Sequence, residues 1–373
     1  MPRQANAIDF WRGFALISIF INHVPGIYYS RLTHANISVS DAADLFVFLA
    51  GWSLRYLVGS DDKRTSTWHL VLRLSGRALT LYAAQITITM IAIAMLAVTA
   101  LTLDNPLLLE WHNAAAVFHD PAPTHVGLAL LTHQLGYFDI LPLYVVLMLM
   151  APAIAVLDRY APNWVLPLSL ALYFTALTVP ITIPTWPVEG QWFFNPLAWQ
   201  VIFVLGFVMA KDAGVGGFVR RHMVAIRWVA LPIVVLGVLV VWNNWWPDPT
   251  RLPQPRLLFI PGKTFATPVR LIQFIALIAV FSLAYPYIRK GVPLLVEWLS
   301  MLGRNSLPVF CVGSLLSLAG QITRFVYRGD IVVDTVVVIV GIVILVLTAW
   351  LAEWRDRAKP RPPARQPASS SAS

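Results

Sequence analysis

The chain has 373 residues, of which 58% are hydrophobic and only 12% charged, with mean hydropathy +0.69; soluble domains carry about 25% charged residues. That balance excludes a soluble globular enzyme. The net charge of +9 sits mainly in the segments between apolar runs, so it reads as membrane topology and contact with anionic lipids at the cytoplasmic face, and no nucleic acid is expected as a partner.

Cutting the sequence at its apolar runs gives about ten candidate spans, because about 20 apolar residues cross the hydrocarbon core. They lie near 8–28, 41–59, 78–102, 139–157, 164–182, 196–211, 224–242, 266–288, 306–323 and 331–352. The expected fold class is all-α, a polytopic membrane helical bundle. Lys and Arg collect on the side of the N-terminus, at Arg3, Arg55, Lys63, Arg64, Arg159, Lys211, Arg220, Arg221, Arg227, Arg289, Lys290 and the basic C-terminal stretch. The opposite side holds Arg31, Arg251, Arg256, Lys263, Arg324 and Arg328. Cytoplasmic loops retain such residues, so both termini are expected in the cytoplasm. Residues 1–354 read as a single integral-membrane domain. Residues 355–373, basic and rich in Pro and Ser, read as a disordered cytoplasmic tail.

The first run, IDFWRGFALISIFINHVPGIY, carries Asp9, Arg12, Asn22 and His23. Ionisable groups inside a span are rare unless they face protein or a watery cavity. Arg12 and His23 return to nearly the same azimuth about 16 Å apart along a helix, which places a polar stripe on this segment. A buried His satisfied by a carbonyl, and an Asp9–Arg12 pair neutralising itself, are the structural alternatives to a catalytic spine.

The second run opens with SDAADLFVFLAGW, where Ser40 is a plausible N-cap and Asp41 and Asp44 lie one turn apart. A carboxylate beside an imidazole fixes its tautomer, so His23, Asp41 and Asp44 are the candidate catalytic set. Before the third run, RLSGR sets Arg73 and Arg77 one turn apart, and MLGRNSL adds Arg304 at another inner boundary. Such cations meet lipid phosphate at an inner interface, or converge with Arg12 on an anionic donor.

Three outer segments carry more than a connector needs. Residues 103–138 hold His112, His119, His125 and His133, spaced seven, six and eight residues apart. These intervals match no usual zinc pattern and the single Cys311 lies in an apolar run, so no metal site is expected. Residues 186–196 include Asn195, and 241–256 include Trp242, Trp245 and Trp246. Such aromatics form either an interfacial belt or a carbohydrate platform, in which Asn22, Asn195, Trp245 and Trp246 would bind substrate.

The run AIDFWRGFALISIFINHVPG followed by SDAADLFVFLAGW resembles the N-terminal signature of the OpgC proteins. The resemblance continues through RLSGRALTLY, GYFDILPLYVVLMLMAP, FNPLAWQVIFVLG and LGRNSLPVF, over roughly residues 5–320. Those are polytopic bacterial inner-membrane proteins associated with succinylation of osmoregulated periplasmic glucans, distantly similar to the acyltransferase-3 superfamily. The resemblance implies that Asp9, Arg12, Gly13 and His23 match polar positions of the family's first span, that Asp41 and Asp44 fall in its second motif, and that Arg73 and Arg77 are its basic pair. This chain departs from the pattern at FLAGW, where a Ser before the Gly and a Tyr after it are expected, and at Asp44, where Glu is usual.

The function expected is a membrane O-acyltransferase. It would move an acyl group, succinyl by resemblance, from a cytoplasmic acyl-CoA held by Arg12, Arg73 and Arg77 to a hydroxyl of a periplasmic glycan, with no permanently bound cofactor. A transporter or flippase for a glycan or lipid-linked sugar fits a polar intramembrane stripe as well, and an accessory scaffold for glycan synthesis is a third class.

Overall fold

A computed structural model describes residues 6–59 and 66–358. Its helices are α1 (Ala7–Asn22), α2 (Ala42–Gly59), α3 (Thr67–Thr102), α4 (Ala115–His119), α5 (Pro121–Ala129), α6 (Ile140–Tyr160), α7 (Val165–Thr178) and α8 (Pro196–Met209). They continue with α9 (Gly214–Arg221), α10 (Met223–Trp242), α11 (Pro268–Phe281), α12 (Ala284–Gly291), α13 (Pro293–Arg304), α14 (Ser306–Tyr327) and α15 (Ile331–Ala358). No strand occurs among the described residues, apart from an isolated bridge between Pro184 and Gln191.

Helices occupy all the expected apolar runs, but not at the expected length. Among the described residues six are long and apolar enough to cross a membrane (α2, α3, α6, α10, α14 and α15), or up to 8 if the bent pairs α8–α9 and α11–α12 each make one span. Helix α1 has 16 residues and α7 has 14, short of the about 20 a straight crossing takes. The protein is thus a multi-pass, all-helical membrane protein. Helix α15 runs to Ala358, so residues 355–358 are helical and not tail; residues 359–373 of the expected tail lie outside the described residues.

Local chemistry sets the ends that matter. Asn6 caps α1 by accepting from the Asp9 amide at 2.8 Å and donating to the Asp9 carboxylate at 2.7 Å, which satisfies an orphan first-turn donor and places a negative charge at the positive helix end. At α2 the cap is Asp41, not the expected Ser40. Asp41 accepts from the Ala43 amide at 2.9 Å, and Asp44 accepts from the Asp41 amide at 2.8 Å, a reciprocal capping arrangement. The Ser40 hydroxyl pairs with Ser38 instead, at 2.8 Å.

Glycines let the central helices touch backbone to backbone. A Cβ on Gly13 of α1 would meet the Leu299 carbonyl oxygen of α13 at 1.9 Å, and one on Gly303 of α13 would meet the Asp9 oxygen at 1.8 Å. The same reciprocal arrangement joins α2 to α8, with Gly51 against Phe203 and Gly206 against Phe48. Without a hydrophobic drive between helices in lipid, such close approach supplies the dispersion contact that holds a bundle. It fixes α1 and α2, the helices that carry most of the candidate residues.

Candidate active site

At the end of the bundle where α1 stops and α2 starts lies a cavity of about 410 Å³ lined by Asn22, His23, Asp41, Tyr137, Asp139, Phe193, Phe194 and Lys263, among others. Six chain segments build it, among them the stretch before α8 that carries Phe193 and Phe194. His23 is the C-cap of α1, and Asp41 is the residue before α2. Tyr137 and Asp139 come from the end of the loop before α6, and Lys263 from the loop before α11.

Each segment is held from behind. The His23 carbonyl accepts from Gln321 Nε2 of α14 at 2.6 Å, while Gln321 Oε1 meets His112 Nε2 at 2.7 Å. The same loop folds back on itself, since the Gly136 amide donates to the His112 carbonyl at 2.9 Å. Tyr137 takes a left-handed backbone at φ 66° and His112 one at φ 58°, conformations that cost a non-glycine residue about 1–3 kcal/mol and gather at functional sites. Their payoff is placement: the Tyr137 ring lies 5.0 Å from His23 and 5.3 Å from His112.

The Lys263 loop is tied down by Trp199 Nε1 donating to the Lys263 carbonyl at 2.9 Å, Tyr173 donating to Ala266 O at 2.8 Å, and the Asn195 amide donating to Thr264 O at 2.9 Å. Its ammonium lies over the Phe193 and Phe194 rings, at 5.4 and 5.3 Å, and reaches Asp41 at 2.7 Å.

Asp41 also meets Arg270 of α11 at 3.1 Å. Burial alone pushes its carboxyl up, but Lys263 and Arg270 outweigh that and hold it below the usual carboxylate range. Asp139 has no such pair. Burial pushes it up to about 6, with Lys263 pulling in the opposite direction.

The expected catalytic set is therefore brought together only in part. His23 and Asp41 face one cavity, but Asp41 spends its charge on Lys263 and Arg270, and His23 Nδ1 is buried with no hydrogen-bond partner. Asp44 does not line the cavity. Its two oxygens accept from Arg270 Nε at 3.0 Å and Nη2 at 2.5 Å, so the expectation that Asp44 orients the imidazole is corrected: it anchors Arg270, a residue outside the sequence-level candidates. Asn22 does line the cavity, with its Oδ1 accepting from Thr33 Oγ1 at 2.9 Å.

Of the other expected substrate contacts, Asn195 is corrected. Asn195 is 1% exposed and caps α8, accepting from Leu197 N at 3.0 Å and donating to Ile181 O at 2.6 Å, so its amide has no face left for a sugar. Trp245 and Trp246 are exposed just beyond α10 and do not line the cavity. In the His-rich loop, His133 bonds the Asn113 carbonyl at 3.1 Å and His125 bonds Pro121 O at 2.6 Å, both local structural contacts.

At the other end of α1, Arg12 donates to Leu49 O at 3.1 Å, to Gly303 O at 3.4 Å and to the Ser53 hydroxyl, with Asp9 at 3.8 Å. It ties α1 to α2 and α13. Arg73 is exposed and donates to Leu57 O at 2.7 Å, and Arg77 is exposed. Arg304 does not join them; it pairs with Glu353 at 2.7 Å.

Beside α1 runs a second, apolar cavity of about 650 Å³, lined by Trp11, Phe14, Trp52, Phe274, Leu295 and Leu299 among others. Although the sequence places a polar stripe on this segment, the space of this cavity alongside the helix is lined almost wholly by apolar side chains. Its far end reaches His34 and Ser40, the chain neighbours of Ala35 and Asp41 in the polar cavity.

Sequence reasoning missed Lys263, Arg270, Tyr137 and Asp139. Asp139 had a signal, an acidic residue opening an apolar run in GYFDILPLY; Arg270 had one too, a lone charge inside the run 266–288. Lys263 had only its place in an outer loop.

The family model described as OpgC protein matches residues 3–357, nearly the whole chain. A search of curated proteins finds no match to this sequence.

Proposed function

The chain belongs to the OpgC family, and from that premise we propose that it is a succinyl O-acyltransferase of the bacterial inner membrane, acting on a periplasmic glucan. In this reading α1, α2, α3, α6, α7, α8, α10, α11, α14 and α15 all cross the bilayer, with the shorter ones sheltered in the bundle, and both termini lie in the cytoplasm as the Lys and Arg distribution favours. The polar cavity then opens toward the periplasm, and the Arg73–Arg77 end faces the cytoplasm.

The observation that carries the proposal is the gathering of His23, Asn22, Asp41, Asp139 and Lys263 around one cavity, at the end of the helix whose other end holds Arg12. A cytoplasmic acyl-CoA would set its phosphates on Arg73 and Arg77. Its thioester arm would follow the apolar cavity beside α1, which ends one residue from the polar one. His23 accepts the proton of a glucan hydroxyl as the hydroxyl oxygen attacks the acyl carbon; the carbon–sulfur bond breaks, and the departing thiolate takes up a proton. Lys263, braced by Asp41 and the two Phe rings, is the cation nearest the oxyanion and the free carboxylate of a succinyl group.

Purified protein in liposomes tests this. With labelled succinyl-CoA outside and a glucose oligosaccharide within, covalent label in the oligosaccharide supports the transferase. Movement of the oligosaccharide across the membrane without label would instead support a transporter and overturn the proposal.

A further inference from the structure

Of the carboxylates that line the polar cavity, Asp41 is committed to two cations. Asp139 is not: beyond its own backbone amide, no described residue bonds or pairs with it. It stands immediately before α6, yet gives that helix no side-chain cap. The cavity around it is walled by the aromatic side chains of Tyr137, Phe193 and Phe194. Asp139 is half-buried, and a carboxylate partly withdrawn from water with no protein donor on its oxygens is costly unless whatever occupies the cavity supplies hydrogen-bond donors. A planar carboxylate facing a cavity with aromatic walls suits one class of ligand well. A pyranose offers two adjacent hydroxyl hydrogens to the carboxylate oxygens and an apolar C–H face to the rings.

We propose that this cavity is a sugar subsite in which Asp139 grips vicinal hydroxyls of the acceptor pyranose, leaving a further hydroxyl turned toward His23. The inference rests on the transferase reading for the identity of the reacting hydroxyl, but not for the binding itself. Asn22 and Lys263 flank the ring, and the left-handed Tyr137 backbone holds one wall in place. The charged and titratable groups that face Asp139 across this space are Lys263, Asp41, His23 and Tyr137. With burial raising its carboxyl to about 6, Asp139 accepts hydroxyl hydrogens on two charged oxygens above that pH, and below it the neutral acid holds them more weakly.

The test is binding of a linear glucose oligosaccharide to the full chain in lipid nanodiscs without any acyl donor, read by calorimetry between pH 5 and pH 7.5. Wild-type protein is expected to bind, more weakly as the pH falls through about 6. Asp139→Asn is expected to bind about tenfold more weakly at pH 7.5, the loss of a charge-assisted hydrogen bond, with a flat pH profile, while Asp139→Glu recovers part of the affinity. Asp139→Asn removes a half-buried charge that no described residue pairs with, so its thermal unfolding in detergent should be no lower than wild type, which separates binding from misfolding. Binding by Asp139→Asn with wild-type affinity and pH profile, or no binding by wild type, overturns the inference. Binding without acyl transfer would leave the inference standing and overturn the transferase reading instead; transfer with an unchanged acceptor KM in Asp139→Asn would do the reverse.

Discussion

Asp44 and Arg270 form a buried, two-pronged ion pair, with both carboxylate oxygens within 3.0 Å of guanidinium nitrogens and the Asp44 residue 0% exposed. It locks α2 to α11, and through the Arg270 contact with Asp41 it sets one wall of the polar cavity. Removing one partner strands the other charge, which costs about 3–5 kcal/mol. Asp44→Ala should therefore lower thermal unfolding in detergent and the yield of folded protein, while Asp44→Leu combined with Arg270→Met recovers much of the stability. A fully stable but inactive Asp44→Ala would point back to a direct catalytic role.

The glycine crossings give a second expectation. A Cβ at Gly13 would sit 1.9 Å from the Leu299 carbonyl oxygen, which is backbone and cannot swing away. Gly13→Ala should separate α1 from α13 and destabilise by about 1–3 kcal/mol or more. Gly76→Ala in α3, where a Cβ meets nothing within 4 Å, is the control and should unfold as wild type does.

Lys263 and Asp41 yield a pH-dependent expectation. Asp41 is held below its ordinary value of 3.8 by Lys263 and Arg270, against the opposing pull of burial. A carboxyl depressed in the folded state stabilises the protein above its unfolded pKa, and that contribution fades as the pH falls toward the folded value. Lys263→Met should hence be destabilised relative to wild type at neutral pH, with the gap closing as the pH drops below about 4. Denaturation midpoints at stepped pH values measure it; a gap that widens in acid would contradict the pairing.

Much of the bundle was legible because apolar runs of membrane length announce themselves, and the residues of α1 and α2 that face the polar cavity, His23, Asn22 and Asp41, stood out as polar groups in apolar surroundings. What was not legible came from distance in the chain. Nothing local says that Arg270, 226 residues away, takes both oxygens of Asp44, or that Lys263 closes on Asp41. Asn195 looked like a sugar contact because Asn before Pro and an apolar run fits both roles; its capping bonds decided for structure. The short length of α1 was hidden by VPGIY, whose apolar character extends the run although the helix ends at Asn22, and Pro25, with no amide to donate, followed by Gly26 at φ 74° keeps it from continuing.

Arg73 and Arg77 supply the expectation for the donor end. Both are exposed on α3; Arg77→Ala should leave folding undisturbed, while Arg73→Ala also removes the bond to Leu57 O and should cost about 1 kcal/mol of stability. Under the proposed function, Arg73→Ala and Arg77→Ala should each raise the KM for acyl-CoA about tenfold, the worth of one charge-assisted contact to phosphate, with the KM for the oligosaccharide unchanged. An effect on the acceptor alone would place the donor elsewhere.

The most direct measurement of the account is succinyl transfer by His23→Gln in liposomes, set beside wild type for both label incorporation and oligosaccharide binding. Loss of a general base predicts a fall of about 10²–10⁴-fold in transfer, with the protein folded and still binding the oligosaccharide. Transfer at the wild-type rate would contradict the assignment of His23 and, with it, the chemistry ascribed to this cavity.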